Sequence, residues 1–180
     1  MQRRNFLLAG AVGIPALAIG QKTGFRKPRL RKGFVVKANE SRFNEKTVLS
    51  GNCPNDIKVS TKDTDGDLSA FTYTGNVKGG PPLHVHPFQD EIFFILEGDF
   101  LFQVGEEKHN LTAGDTIFLP RDVPHTFAQL SDKGRVFFFF QPSGKMEDFF
   151  RAAGDSKANL NPKLFDDHDI HVVGPPLKYD

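Results

Sequence analysis

The chain has 180 residues, one cysteine, and 23 basic against 22 acidic side chains, which gives a formal net charge of +1. This length suits one domain without a second substantial core, and the lone Cys53 excludes an internal disulfide. The balanced charge, with no basic cluster beyond the N-terminal region, argues against nucleic acid as a partner.

The first twenty residues predict an export signal. They begin with a charged start at Arg3-Arg4, continue through an apolar stretch to Ile19, and offer a cleavage site near Ala18. This stretch is shorter than the ~20 residues that a membrane-spanning helix needs. The paired arginines resemble the twin-arginine export signal. We therefore expect a signal peptide over residues 1–20, export to the periplasm and no stable membrane insertion after cleavage, with an uncleaved anchor or a general export signal as alternatives.

The next segment, residues 21–32, is basic and contains Gly and Pro, which predicts a linker before a folded domain over residues 33–180. In that domain, short apolar runs alternate with turn residues, a pattern typical of an all-β sandwich or barrel. The predicted strands are Gly33 to Ala38, Lys46 to Leu49, Asp56 to Ser60, Leu68 to Thr74, Leu83 to His86, Glu91 to Glu97, Asp99 to Val104, Lys108 to Leu111, Thr116 to Leu119, His125 to Leu130 and Arg135 to Gln141.

Four consecutive phenylalanines, Phe137 to Phe140, break the alternation and predict a strand that is covered on both faces. One face would line the barrel, and the other would meet a helix or a second subunit. Such a helix is predicted over Met146 to Ala153, because apolar residues recur there at i, i+3, i+4 and i+7. A second short helix is expected from Asn161-Pro162 to about Asp167, followed by a strand from Ile170 to Val173.

Four side chains are spaced as ligands of one metal ion. His84 and His86 stand at i and i+2 of a strand and therefore project from the same face. Glu91 opens the next strand, where its parity carries the carboxylate toward that face. His125 enters a later strand and adds a third imidazole. The alternative is a solvent-exposed His-x-His pair that binds no metal. The other histidines fit no such spacing, and we interpret them as ordinary surface or core residues: His109, His168 and His171.

At these residues the sequence resembles the cupin superfamily. The first cupin motif is Gly, five residues, His-x-His, three or four residues, Glu, six residues, Gly. It fits from His84 to Gly98, whereas Lys78 stands at the position of its first glycine. The stretch from about residue 48 to residue 176 resembles in particular the single-domain cupins similar to quercetin 2,3-dioxygenase.

The second cupin motif is Gly, five residues, Pro-x-Gly, two residues, His, three residues, Asn. It falls on Gly114, Pro120 and His125, with Asp122 in place of the motif glycine and Gln129 in place of the asparagine. These departures concern the shape of the turn before His125. Asp122 either shapes that turn or supplies a carboxylate that orients His125.

The resemblance implies a double-stranded β-helix, the jelly-roll cupin barrel, which the patterns described above extend by one or two short C-terminal helices. It also implies that His84, His86, Glu91 and His125 hold a metal ion. Three imidazoles and one carboxylate suit a divalent transition metal, namely Fe, Mn, Ni, Co, Cu or Zn, and leave one or two coordination positions free. Because cupins often pair through their outer sheet faces, we also expect a homodimer.

The leading functional hypothesis is a dioxygenase that uses O2 on a small planar substrate with adjacent hydroxyl and carbonyl oxygens. Glu91 would accept the substrate's proton as a general base. Phe93, Phe118 and Phe127 are expected to point inward and form an apolar pocket, although a role as plain core residues is at least as good an interpretation.

Two other functions stay open. One is a metal-dependent isomerase or epimerase of small sugars or keto acids, which would need Arg or Lys inside the barrel. The other is a non-catalytic cupin that binds a metal or a small ligand, since one fold hosts many functions.

Overall fold

The described residues form two antiparallel β-sheets that pack face to face, with short helices at one flank. The structure is a computed structural model, and it describes residues 32–49, 52–154 and 162–179. The predicted signal peptide, the linker before Lys32 and Asn161 lie outside these ranges. None of the helices in the described ranges is long and apolar enough to cross a membrane.

The elements in chain order are a 3-10 turn (Arg42–Asn44), β1 (Val48–Leu49), β2 (Cys53–Val59), α1 (Thr61–Thr64), β3 (Ser69–Gly75), β4 (Pro82–Val85), β5 (Asp90–Glu97), β6 (Phe100–Val104), β7 (Glu107–Leu111), β8 (Thr116–Leu119), β9 (His125–Gln129), β10 (Gly134–Gln141), α2 (Met146–Gly154), α3 (Pro162–Asp167) and β11 (His171–Pro176). One sheet has the order β1-β2-β3-β10-β5-β8, and the other has the order β11-β4-β9-β6-β7. The prediction of an all-β jelly roll with one or two short C-terminal helices is confirmed, and the structure has two, α2 and α3. The two sheets are not, however, joined into one closed barrel.

Two segments near the start of the domain differ from the prediction. Gly33 to Ala38 is not a strand, because this segment lies on the surface: Val35 is 85% exposed, and Phe34 packs on the guanidinium of Arg42 instead of in a core. The unpredicted helix α1 begins at a capping box, in which the Ser60 side chain accepts from the backbone and the Asp63 side chain accepts from Ser60 N–H.

The inner face of the six-stranded sheet is built in rows, because directly opposite residues of antiparallel strands share a face. One row joins Glu91 to Leu119 and Phe140, and the next joins Phe93 to Ile117 and Phe138. These phenylalanines stack on one another, with ring centroids of Phe93 and Phe138 5.0 Å apart. The apolar core therefore begins directly beside Glu91.

Helices α2 and α3 close the flank between the two sheets. Phe150 of α2 lies 4.9 Å from Phe71, 5.9 Å from Phe138 and 6.2 Å from Phe140 between ring centroids, so that the helix covers inner-face rings. The outer face of the same sheet keeps exposed apolar side chains, including Phe94 (40%), Leu96 (48%) and Phe118 (54%). Of the two coverings predicted for the outer face of Phe137 to Phe140, a helix or a second subunit, the helix is not observed there, because α2 packs on the opposite side.

Candidate metal centre

The four predicted ligands come together between the two sheets. His84 on β4 lies directly opposite His125 on β9, and His86 follows β4 by one residue. Glu91 approaches from β5 of the facing sheet. One ligand atom from each residue lies within 4.8 Å of the other three, and the imidazole centroids are 4.7–5.3 Å apart. The chain thus assembles three nitrogens and one carboxylate around a common point.

Backbone carbonyls fix the orientation of two imidazoles. His84 Nδ1 lies 2.8 Å from Pro82 O, and His125 Nδ1 lies 2.9 Å from Val123 O. Because a carbonyl can only accept, each Nδ1 carries the proton and each Nε2 keeps a lone pair for a metal. Glu91 Oε2 is 3.3 Å from His125 Nε2 and 3.8 Å from His86 Nε2.

The cluster is removed from solvent, since its side chains belong to residues that are 1–8% exposed. Burial and the neighbouring His125 lower the pKa of His84 to about 3. Burial and the other two imidazoles also hold the pKa of His86 well below its usual value. Burial raises the pKa of Glu91, against the opposing effect of His125. The imidazoles of His84 and His86 are therefore neutral, which is the form that binds a metal.

This arrangement fits a divalent transition metal. His86 Nδ1 is buried without a hydrogen-bond partner among the described residues. Buried polar groups usually have such partners, and three imidazoles with one carboxylate do not satisfy one another's hydrogen-bonding groups. Nitrogen-rich ligands favour the metals from Mn to Zn over Mg or Ca. The remaining histidines lie away from the cluster: His109 on β7, His168 bonded to Leu164 O, and His171 beside Asp166.

A cavity of about 630 Å³ extends from the cluster into the space between the sheets. Its walls are mostly apolar, and they include the predicted Phe93 and Phe127. The prediction for Phe118 is wrong, because this residue lies opposite Ile92 on the outer face and is 54% exposed. Leu119, which lies opposite Glu91, takes the inward position.

Sequence reasoning missed the contribution of the helices and of the β3–β4 segment to this cavity. The further lining residues are Met146, Phe149 and Phe150 of α2, Phe165 of α3, Tyr73 of β3, and Lys78 after β3. The amphipathic pattern of α2 showed that one face of the helix would be buried, and it did not show against what.

Asp122 performs the local task of the motif glycine. Its φ is +63°, in the left-handed region that glycine and, among other residues, Asn and Asp adopt most readily. In this conformation the Asp122 N–H donates to His86 O at 3.0 Å. The partner of His125 Nδ1 is Val123 O. Asp122 therefore shapes the turn and is not the group that orients His125.

Gln129, at the position of the motif asparagine, links the two sheets. It is fully buried, and its Nε2 donates to Ser131 O at 2.9 Å and to Gly75 O at 3.4 Å. Gly75 and Gly134 lie opposite each other, and a Cβ on either one would come within 1.8 Å or 2.6 Å, respectively, of Gln129 Oε1. This glycine pair makes room for the longer amide, which holds β9, and with it His125, against the facing sheet.

Comparison with known proteins agrees with this geometry. Residues 72–140 match the cupin domain family. Protein SchB of Streptomyces halstedii is 29% identical over 91 residues, which are 49% of this chain and 66% of SchB. Quercetin 2,3-dioxygenase of Bacillus subtilis is 27% identical over 108 residues, which are 60% of this chain and 32% of that enzyme. The chain thus spans about two thirds of one curated relative and about one third of the other.

Solved structures extend the likeness to the fold. An RmlC-like cupin from Shewanella frigidimarina aligns with a TM-score of 0.50 at 22% sequence identity, over 63% of this chain and 96% of that one. At this identity the likeness concerns the fold alone. Residues 72–140 are thus similar to the cupin domain family, and the two sheets have the cupin fold.

Proposed function

We propose that this protein is a metal-dependent dioxygenase that acts on a small planar substrate with adjacent hydroxyl and carbonyl oxygens. The observation that carries the proposal is the position of the four-residue cluster at the buried end of an apolar cavity of about 630 Å³. Such a cavity favours a flat, largely apolar molecule with its few polar atoms at one end. The partial similarity to quercetin 2,3-dioxygenase supports the same substrate class.

The chain's own residues have distinct roles in this proposal. His84, His86, Glu91 and His125 would hold the metal, which supplies a centre for Lewis-acid and electron-transfer chemistry with O2. Glu91 would also accept the proton of the substrate hydroxyl, because its Oε2 lies within the cluster, 3.3 Å from His125 Nε2. The phenylalanine walls exclude water from the reacting end.

The cavity walls disfavour the isomerase of phosphorylated or acidic sugars. Among the described residues that line the cavity, Lys78 is the single Lys or Arg, and its side chain is 50% exposed. No cation therefore stands near the metal ligands on the cavity wall to bind a phosphate or carboxylate there.

Oxygen uptake by metal-loaded protein tests the proposal. The protein is loaded in turn with Fe, Mn, Ni, Co, Cu and Zn, its metal content is measured, and flavonols, β-diketones and catechols are offered. We expect uptake with at least one flavonol, its abolition in His125→Ala together with bound metal, and a large loss in Glu91→Gln. His109→Gln, which changes a histidine on β7 outside the cluster, serves as the control. Bound metal without oxygen uptake for all three substrate classes would refute the dioxygenase. Turnover under anaerobic conditions would favour an isomerase, and release of an unchanged ligand on denaturation would favour a binding protein.

We also propose that the mature protein is a periplasmic homodimer that pairs through the outer face of the six-stranded sheet. The apolar residues Phe94, Leu96 and Phe118 on this face support the dimer, and light scattering measures its mass directly.

The N-terminal pattern of Arg3-Arg4 supports export. Cell fractionation, with Arg3→Lys and Arg4→Lys combined as the comparison, tests it: a protein that stays periplasmic after both changes does not use the twin-arginine route.

A further inference from the structure

The apolar cavity opens at the end remote from the metal cluster. At the buried end, His86 is 1% and Glu91 5% exposed. At the other end, the lining residues Val77 and Tyr179 are 42% and 38% exposed, and the Lys78 side chain is 50% exposed. A substrate whose metal-binding oxygens reach the cluster must therefore present its opposite end at this opening.

The strand register gives the distance between the backbone level of the cluster and that of this opening. His84 lies opposite His125 on β9, and Gly79 bridges to Gln129 four residues further along the same strand. At a rise of about 3.4 Å per residue, the two levels are about 13 Å apart. Both backbone hydrogen bonds between Gly79 and Gln129 are formed, at 3.0 and 2.8 Å, so that the backbone beside Lys78 is fixed.

Lys78 carries the positive charge at this opening. It stands where the first cupin motif has a glycine, so that its charge is a feature of this chain and not of the motif. Among the described lining residues no other Lys or Arg is present. Its present partner is Asp132, with Nζ and Oδ1 3.3 Å apart, but the Asp132 side chain is 93% exposed. An ion pair this exposed contributes little, so that an incoming acidic group can take the place of Asp132.

We infer, on the basis of the function proposed above, that the substrate carries an acidic group at the end remote from the metal and that Lys78 binds this group. The substrate class is then an apolar, planar molecule with a hydroxy-carbonyl head and a carboxylate or similar anion about 13 Å away. The metal ligands select the head, and Lys78 selects the charge of the tail.

A pair of probes tests this inference by binding, independently of turnover. The probes are 3-hydroxyflavone and its 4′-carboxylate derivative, titrated by flavonol fluorescence against the metal-loaded full chain at low ionic strength. We expect the carboxylate to bind about two- to five-fold more tightly than the neutral parent, as for one partly exposed ion pair. The preference should disappear in Lys78→Gln, persist in Lys78→Arg, increase in Asp132→Asn, and shrink as salt is added.

Lys108→Gln is the matched control, since it removes one exposed lysine from β7, outside the cavity lining. Equal affinity for the two probes in the wild type, a preference that survives in Lys78→Gln, or no binding of either probe would each overturn the inference. Oxygen uptake is measured on the same samples. If the carboxylate is preferred through Lys78 but no oxygen is consumed, the dioxygenase is refuted and the recognition of an acidic tail stands.

Discussion

The pH dependence of stability in the metal-free protein tests whether the cluster is as dry as the structure shows. The pKa of His84 falls from 6.5 to about 3, chiefly because the imidazole is buried and secondarily because His125 lies beside it. When the chain unfolds, this imidazole returns to its ordinary pKa and takes up a proton at mildly acidic pH. The unfolded state therefore binds more protons than the folded state between about pH 3 and 6.5, so that stability falls as the pH falls through this window.

The size of the effect follows from the two pKa values. At pH 5 the unfolded imidazole is almost fully protonated and the folded one is almost fully neutral. The resulting loss in the free energy of unfolding, relative to pH 7.5, is about 2 kcal/mol for His84 alone. His86 acts in the same direction, whereas the raised pKa of Glu91 acts in the opposite direction, because its folded form binds a proton more readily. A difference between wild type and a His84 variant isolates the contribution of one group.

Urea unfolding of EDTA-treated protein, followed by far-ultraviolet circular dichroism at pH 7.5 and pH 5.0, measures this difference. We expect His84→Gln to lose about 2 kcal/mol less than wild type between the two pH values. His109→Gln, which removes a histidine on β7 outside the cluster, is the matched control and should lose as much as wild type. If His84→Gln and wild type lose the same stability, the His84 imidazole is hydrated in the folded state. The claim that the end of the cavity at the cluster excludes water would then be wrong.

Three further substitutions test other parts of the argument. Gly134→Ala should lower the free energy of unfolding by about 1–3 kcal/mol, because its Cβ would meet Gln129. Gly33→Ala, with no atom within 4 Å of the added Cβ, should melt as wild type does. Equal melting temperatures for the two variants would contradict the contact between Gly134 and Gln129. Asp122→Val should lower the free energy of unfolding by about 1–2 kcal/mol, because a β-branched residue is strained at φ +63°, whereas Asp122→Gly should not lower it. Thermal unfolding measures both variants, and an unaffected Val variant would mean that the turn relaxes. Phe118→Glu should convert the proposed dimer to a monomer in light scattering, whereas Phe88→Glu, at an exposed position outside the outer sheet face, should not; a dimer that survives Phe118→Glu pairs elsewhere.

The ligand set was predictable from sequence because its spacing encodes both the period and the phase of the strands. His84 and His86 share a face by their separation of two, and the turn that follows brings Glu91 onto the facing sheet. Phe118 shows what spacing leaves open. The period of two holds in β8, but its phase is set by the partner strand, where Leu119 and not Phe118 lies opposite Glu91. A strand without ligands of its own can therefore be assigned to the wrong face.

Tertiary contacts decided the other differences from the sequence prediction. Gly33 to Ala38 has the composition of a strand, but no sheet edge pairs with it, and Val35 stays exposed. Helix α2 was predictable from its apolar period, whereas its position over the inner rings depends on the gap that the two sheets leave at one flank. A single sequence contains the periodicity of an element but not the identity of the surface that it covers.

The departures from the second cupin motif show that backbone conformation and sheet contact are what the structure retains. Asp122 keeps the positive φ that the motif glycine would supply, and its N–H holds the His86 carbonyl. Gln129 is longer than asparagine, and the space for it comes from Gly75, 54 residues away in sequence, and from Gly134. Because the compensating glycines lie on other strands, a motif compared one position at a time cannot reveal them. The motif positions can therefore change while His125 keeps its place, provided that the turn and the contact between the sheets are preserved.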